Sequence, residues 1–384
     1  MKNLQKNLQQ ATSPEASPRR RFLRIGAACA TCVAIPPSAR AASAALAGAA
    51  LDIEPVVRAA LHALEQARLG PGTYSRFLGK QRASRPQGAA ANPYGSAAAA
   101  CILYAARHMP TAPAERTAFI TVLRAGQSKE TGLFSEPSHN ATHATAYMLA
   151  ALELFDAPAL HAPHGLAHLL EPGAIEALLD GLDWNKPWGA SHHGAGAFAA
   201  LFLSGLATPA WQDRYFDWLW REQDPATGLW RKGALRATGQ AAGAVLFDAL
   251  AGSFHYLFNH AAARRPLRFP EAMIDSALRV RTEGLHSALG RGPGFAELDW
   301  LYCLTRPLRQ CGHRFADVQA ELSAFARFYA RNLLQLVATE PTPFQDLHAL
   351  NGTMAALAEL QQALPGLLRS ERPLALTLDR RPFI

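Results

Sequence analysis

Fourteen histidines are spread over the 384 residues, and several stand where their side chains can act together. His192 and His193 are adjacent in the segment SHHGAG, residues 191–196. His143 closes SHNATHA at 138–144, next to Asn140, and His255 is followed by Tyr256 in GSFHYLFNH at 252–260. Imidazole changes charge near neutral pH, so it serves as acid, base or ligand. Neighbouring His and Tyr on a helix lie about 100° apart and can border one groove. The combination suits β-elimination beside a carboxylate. A donor neutralises the carboxylate, a base takes the acidified proton, and an acid protonates the leaving oxygen. His192, His193, His255, Tyr256 and Asn140 are therefore the candidate catalytic residues.

Each has a plainer reading. Ser138, Thr142, Ser191 and Thr238 have the residue types that cap helix starts, and His255 with Tyr256 also fits a core aromatic cluster with Phe254, Leu257 and Phe258. Capping does not account for three histidines at helix starts. His139 and His143 have the i,i+4 spacing of a ligand pair, but no clear third ligand accompanies them. No metal and no cofactor is therefore expected. Hydrolysis, which needs two acids flanking the bond, would fall to Glu297, Asp299, Asp346 or Asp183, and no pair of these is marked out.

These residues need elements to position them. The stretch QSKETGLF at 127–134 matches QDPATGLW at 223–230, as Gln-x3-Thr-Gly-Leu-aromatic. A repeated turn ahead of a helix signals an array of helical hairpins. DWNKPWG at 183–189 reads as a degenerate third copy. The helix starts that follow, at 138–144, 191–196 and 236–243, would bring Asn140, His143, His192, His193, Thr238 and Gln240 to one mouth. Trp188 and Trp230 beside polar loops suit stacking on sugar rings. Arg231 and Arg236, with Lys232, suit substrate carboxylates. His143, Trp188, Trp230, Arg231, Arg236 and Gln240 are the candidate substrate-binding residues.

Helices are expected at 52–68, 96–108, 113–126, 142–155, 174–182, 192–205, 211–222, 271–280, 295–304, 315–337 and 347–364, and, between 230 and 260, a small-residue helix followed by one carrying His255 and Tyr256. Each expectation rests on apolar spacing and on Gly or Pro stops. No alternating strand pattern of any length is present; residues 374–384 read as a short extended tail. Helices with large aromatics on one face (Trp211, Tyr215, Trp218 and Leu219) precede the repeat turns, and Ala/Gly-rich helices follow them. Small residues let helices approach closely, which predicts a double wall with a narrow inner ring.

Trp218, Leu219, Gln223, Gly228 and Trp230 resemble the aromatic-Leu-x3-Gln…Gly-x-Trp repeat of α/α-toroid proteins. These include prenyltransferase-like and terpene-cyclase domains and the toroidal polysaccharide lyases and glycosidases. The resemblance covers roughly residues 50–365 and implies an all-α (α/α) toroid of six or seven hairpins. The Gln-to-Gly spacing is one residue longer than in the cyclases, and the cyclase Asp-x-Asp-Asp cluster is absent, which argues against that chemistry. An exported protein of this fold looks most like a glycan-degrading enzyme.

Export is the expectation for residues 1–41. Arg19, Arg20, Arg21, Phe22, Leu23 and Arg24 read as a twin-arginine signal, followed by a short apolar run and a small-x-small site at Ala39–Arg40–Ala41. The twin-arginine export machinery is thus an expected partner, and the destination is periplasmic or secreted. This segment carries seven basic residues against Glu15, a net +6 of the chain's +8, leaving about +2 for 42–384. That is no nucleic-acid footprint. Nothing after the leader reads as a membrane span. Cys101, Cys303 and Cys311 remain, and one disulfide (Cys303 with Cys311) or three isolated thiols both fit. The functional expectation is a polysaccharide lyase acting on an acidic, uronate-containing poly- or oligosaccharide. A glycoside hydrolase in the same groove, or a non-catalytic glycan- or protein-binding toroid, are the alternatives.

Overall fold

A computed structural model describes residues 49–85, 87–237 and 242–384. The leader, Thr238 and Gln240 lie outside the described residues, as does the side chain of Arg236. Ala47–Ile384 form one compact unit. Among the described residues fifteen α-helices follow one another: α1 (Glu54–Ala67), α2 (Gly79–Ser84), α3 (Pro93–Ala105), α4 (Pro113–Ala125), α5 (Ala141–Glu153), α6 (Ala174–Asp180), α7 (Pro187–Leu203) and α8 (Pro209–Glu222). They continue with α9 (Ala234–Ala237), α10 (Ala242–Ala263), α11 (Pro270–Thr282), α12 (Ala296–Cys311), α13 (Phe315–Thr339), α14 (Leu347–Ala363) and α15 (Thr377–Arg380). The mostly helical expectation is met. Four strands of two or three residues escape a pattern search because they are too short to alternate. Leu51–Asp52 pairs in parallel with Leu368–Arg369, and Arg68–Gly70 pairs antiparallel with Thr73–Tyr74.

Six helices make a closed succession of neighbours. α3 packs on α5, α5 on α7, α7 on α10, α10 on α12, α12 on α14, and α14 returns to α3. Composition explains their closeness. Ala97–Cys101 in α3 and Ala197–Leu201 in α7 are fully buried, and a Cβ added at Gly252 of α10 would sit 2.6 Å from the Pro187 carbonyl of α7. The flanking helices carry one apolar face each. In α8 this is Trp211, Tyr215, Trp218 and Leu219, while Trp220 stays 43% exposed. All three described cysteines are free thiols. No described helix is long and apolar enough to cross a membrane.

The repeated turns share their main bonds. Gln127 donates from Nε2 to the Gly132 carbonyl at 2.8 Å and accepts at Oε1 from the amides of Leu160 and His161. Gln223 donates to Gly228 at 2.7 Å and accepts from Arg268 and Phe269. The Phe134 amide is received by Thr145 Oγ1 on α5, and the Trp230 amide by Ser253 Oγ on α10. Gly132 and Gly228 both have φ of 69°, a left-handed conformation that glycine adopts without cost. A third copy stands at Gly72–Tyr74: Gly72 has φ of 66°, and the Tyr74 amide reaches Ser96 Oγ on α3. The segment 183–189 is not that copy. Its Pro187 already begins α7, five residues before the expected start, because proline is favoured in a helix's first turn.

Candidate functional site

Five imidazoles meet at one place. His139 precedes α5 and His143 lies in its first turn. His192 belongs to α7, His255 to α10, and His348 to the start of α14. Ring centres are 4.3 Å apart for His139–His143, 4.5 Å for His143–His192, 4.9 Å for His192–His255 and 5.3 Å for His139–His348. Tyr94 of α3 stacks on His139 at 5.1 Å, and Phe383 packs edge-on against His143 at 4.9 Å. His143 and His255 are buried, 2% and 4% exposed. His139, His192 and His348 are partly open to solvent.

Hydrogen bonds fix which nitrogens are available. The His255 Nδ1 lies 3.1 Å from the Ala251 carbonyl, which only accepts, so Nδ1 carries the proton. Ser191 Oγ, also 3.1 Å away, gives its own hydrogen to the Trp188 carbonyl and so accepts too. His255 Nε2 is thereby left with a bare lone pair. His139 is set the same way. Its Nδ1 faces Glu136 Oε2 at 3.2 Å, while Ser138 Oγ donates to that same carboxylate. The His143 Nδ1 meets Tyr94 Oη at 3.1 Å.

Behind His139 runs a chain of charge. Arg76 forks onto Asp346 at 3.0 and 3.1 Å and reaches Glu136 Oε1 at 3.1 Å and Ser138 Oγ at 2.7 Å. Burial would raise the Glu136 carboxyl, but bonds from His139 and Ser138 and the Arg76 charge outweigh it and hold it at about 2. Glu136 is thus an anion at neutral pH. The deeper rings are pushed toward the neutral form. Burial, then the neighbouring His192, His139, His255 and His348, drives His143 well below its usual range. Burial and His192 do the same to His255, burial and Arg76 to His348, and burial with His139 and His193 takes His192 down to about 4. At neutral pH these are uncharged imidazoles.

The sequence-based candidates fare unevenly. His143, His192 and His255 converge. His193 points to solvent one position along α7. Asn140 is the N-cap of α5, its Oδ1 accepting the His143 amide at 2.9 Å, so it positions His143. Tyr256 is fully buried beside Trp184, Trp230 and Gly194, away from the imidazoles. Trp230 is 1% exposed and donates Nε1 to the Leu219 carbonyl, which leaves no face for a sugar. Arg231 is held by Asp180 and Glu222. Trp188 remains partly open, one helical turn before His192 on the same face of α7. The chain matches no family model, no curated protein and no solved structure.

Sequence reasoning missed Tyr94, Arg76, Glu136 and His348 as members of the site, and weighed His139 only as a metal ligand. No local motif marks them, since Arg76 meets Asp346 across 270 residues. Among the acids named for hydrolysis, Asp346 adjoins this site through Arg76, and the exposed Asp183 accepts the Asn185 amide. Asp346 caps α14 and grips Arg76, Glu297 accepts the Gly290 amide, and Asp299 is 1% exposed within the core.

Proposed function

We propose that the chain is an exported polysaccharide lyase cleaving an acidic, uronate-containing glycan by β-elimination, built on an (α/α) toroid of six hairpins. The closed succession α3–α5–α7–α10–α12–α14, with α1, α4, α6, α8, α11 and α13 alternating with it along the chain, supports the toroid. The observation that carries the chemistry is His139. It is partly open, held through Nδ1 by the Glu136 anion, and its Nε2 has no partner among the described residues, beside three more imidazoles. In this reading His139 Nε2 takes the proton next to the uronate carboxylate, and Glu136 stabilises the imidazolium that forms. The C–H bond breaks, a C=C bond forms, the glycosidic C–O bond breaks, and the same imidazolium passes its proton to the leaving oxygen. In this reading the partly open His192 turns its ring N–H to the substrate carboxylate, and Trp188 offers a ring for the adjoining sugar.

The test is ultraviolet absorbance of the unsaturated uronate end during incubation of residues 42–384 with a panel of uronate polysaccharides, with reducing ends counted in parallel. Absorbance and new ends rising together on one glycan is the expected result. New ends without absorbance would overturn elimination in favour of hydrolysis. His139→Ala should cut the elimination rate by roughly 10²–10⁴, the usual worth of a positioned proton-transfer group.

A further inference from the structure

The three innermost imidazoles form a figure of their own. His143, His192 and His255 each direct one ring nitrogen toward the others, and the three ligand atoms lie within 4.8 Å of one another. For three nitrogens at that limit, an ion at their centre would need each ring to move by about 0.7 Å to reach a Zn–N distance near 2.1 Å. The bare lone pair on His255 Nε2 has no donor among the described residues, and a positive centre between the three rings would supply its partner. Among the described residues no acid shares the cluster, and Glu136 is engaged by His139, Ser138 and Arg76.

The surroundings resemble the outer shell that orients metal-bound histidines. Such residues give their other ring N–H to a carbonyl, hydroxyl or carboxylate, which fixes tautomer and ring angle. His255 does this through Nδ1 to the Ala251 carbonyl and Ser191 Oγ, and His143 presents Nδ1 to Tyr94 Oη. Among the described residues neither ring nitrogen of His192 has a hydrogen-bond partner, so either is free to ligate. Two ligands stand on helices buried in the ring wall, while His192 faces the open side.

We infer that His143, His192 and His255 bind one divalent transition-metal ion of the zinc class, with a coordination position left open toward His139 and Trp188. Three imidazoles and no oxygen ligand favour zinc, copper, nickel or cobalt over calcium or magnesium, which take oxygen. Uncharged ligands also leave the ion its full double charge, which suits a carboxylate as the added ligand. The site stands on its own geometry and does not need the lyase reading; if both hold, the ion is the group that neutralises the uronate.

The experiment is a calorimetric titration of chelator-stripped, refolding-free residues 42–384 with Zn²⁺, then with Co²⁺ followed by visible absorbance, with Mg²⁺ and Ca²⁺ as controls and no glycan present. One equivalent of Zn²⁺ is expected, with a tetrahedral cobalt spectrum and no response to Mg²⁺ or Ca²⁺. His192→Gln should weaken binding by at least roughly 100-fold, while His193→Ala, one position away and exposed, leaves it unchanged. His192 is partly open, so its loss is tolerable to the fold; circular dichroism checks this. Absence of stoichiometric binding, or binding that survives His192→Gln in a folded variant, overturns the site. Cleavage of uronates is read separately, so failure of one proposal leaves the other measurable.

Discussion

At the scale of single residues, the decisive contrast is between His139 and the rings beneath it. His139 faces an anion, whereas His143, His192 and His255 face one another and apolar walls. Glu136→Gln keeps the shape of that contact and removes its charge. It should lower kcat for uronate cleavage by roughly 10²-fold or more while KM moves little, which steady-state kinetics would show. The depressed imidazoles also set a pH dependence of stability. His192 titrates near 4 in the folded chain and near 6.5 when unfolded. Its favourable neutral state is therefore fully effective above pH ~6.5 and is lost as pH falls toward 4, at a cost on the order of 3 kcal/mol. His143 and His255 act in the same direction. Thermal melting should therefore drop steeply between pH 6.5 and 4, and His192→Gln should flatten that slope.

At the scale of elements, the repeat turns do the positioning. Gln223 satisfies the Gly228 carbonyl and the amides of Arg268 and Phe269. Gln223→Ala strands the buried Gly228 carbonyl, at about 1–3 kcal/mol, and frees two part-buried amides, so the urea midpoint should fall by an amount equivalent to roughly 2 kcal/mol or more. Two glycines separate conformational strain from crowding. Gly228 and Gly233 both have positive φ, but an added Cβ meets the Met273 amide at 2.3 Å only at Gly228. Gly228→Ala should destabilise clearly more than Gly233→Ala in the same urea series. The turns at 127–134 and 223–230 were legible because their key bonds are local and their residues repeat. The copy at Gly72–Tyr74 was not, since it keeps only the glycine and the aromatic. Trp230 misled for a related reason. A loop-edge tryptophan and a core tryptophan look alike in sequence, and only the Nε1 bond to Leu219 tells them apart.

At the scale of the whole molecule, the alternation of aromatic and Ala/Gly-rich helices was readable because it reflects helix spacing. The closing contacts were not. Phe383 lies against His143, His255 and Phe258 at ring distances of 4.9, 6.0 and 5.1 Å, and Asn259 donates to the Pro382 carbonyl. A tail read as short and extended is thus largely buried, with Phe383 beneath the imidazoles. Such contacts join residues more than a hundred positions apart, where no spacing rule reaches. Phe383→Ala should cost about 3 kcal/mol for the cavity it leaves and loosen His143 and His255, which a fall in melting temperature together with weaker Zn²⁺ binding would register. The measurement that bears most directly on the account as a whole is the ultraviolet trace of residues 42–384 on uronate glycans, run beside His139→Ala. A rise on one glycan that the variant abolishes is the predicted result; equal rises from both proteins would contradict the account.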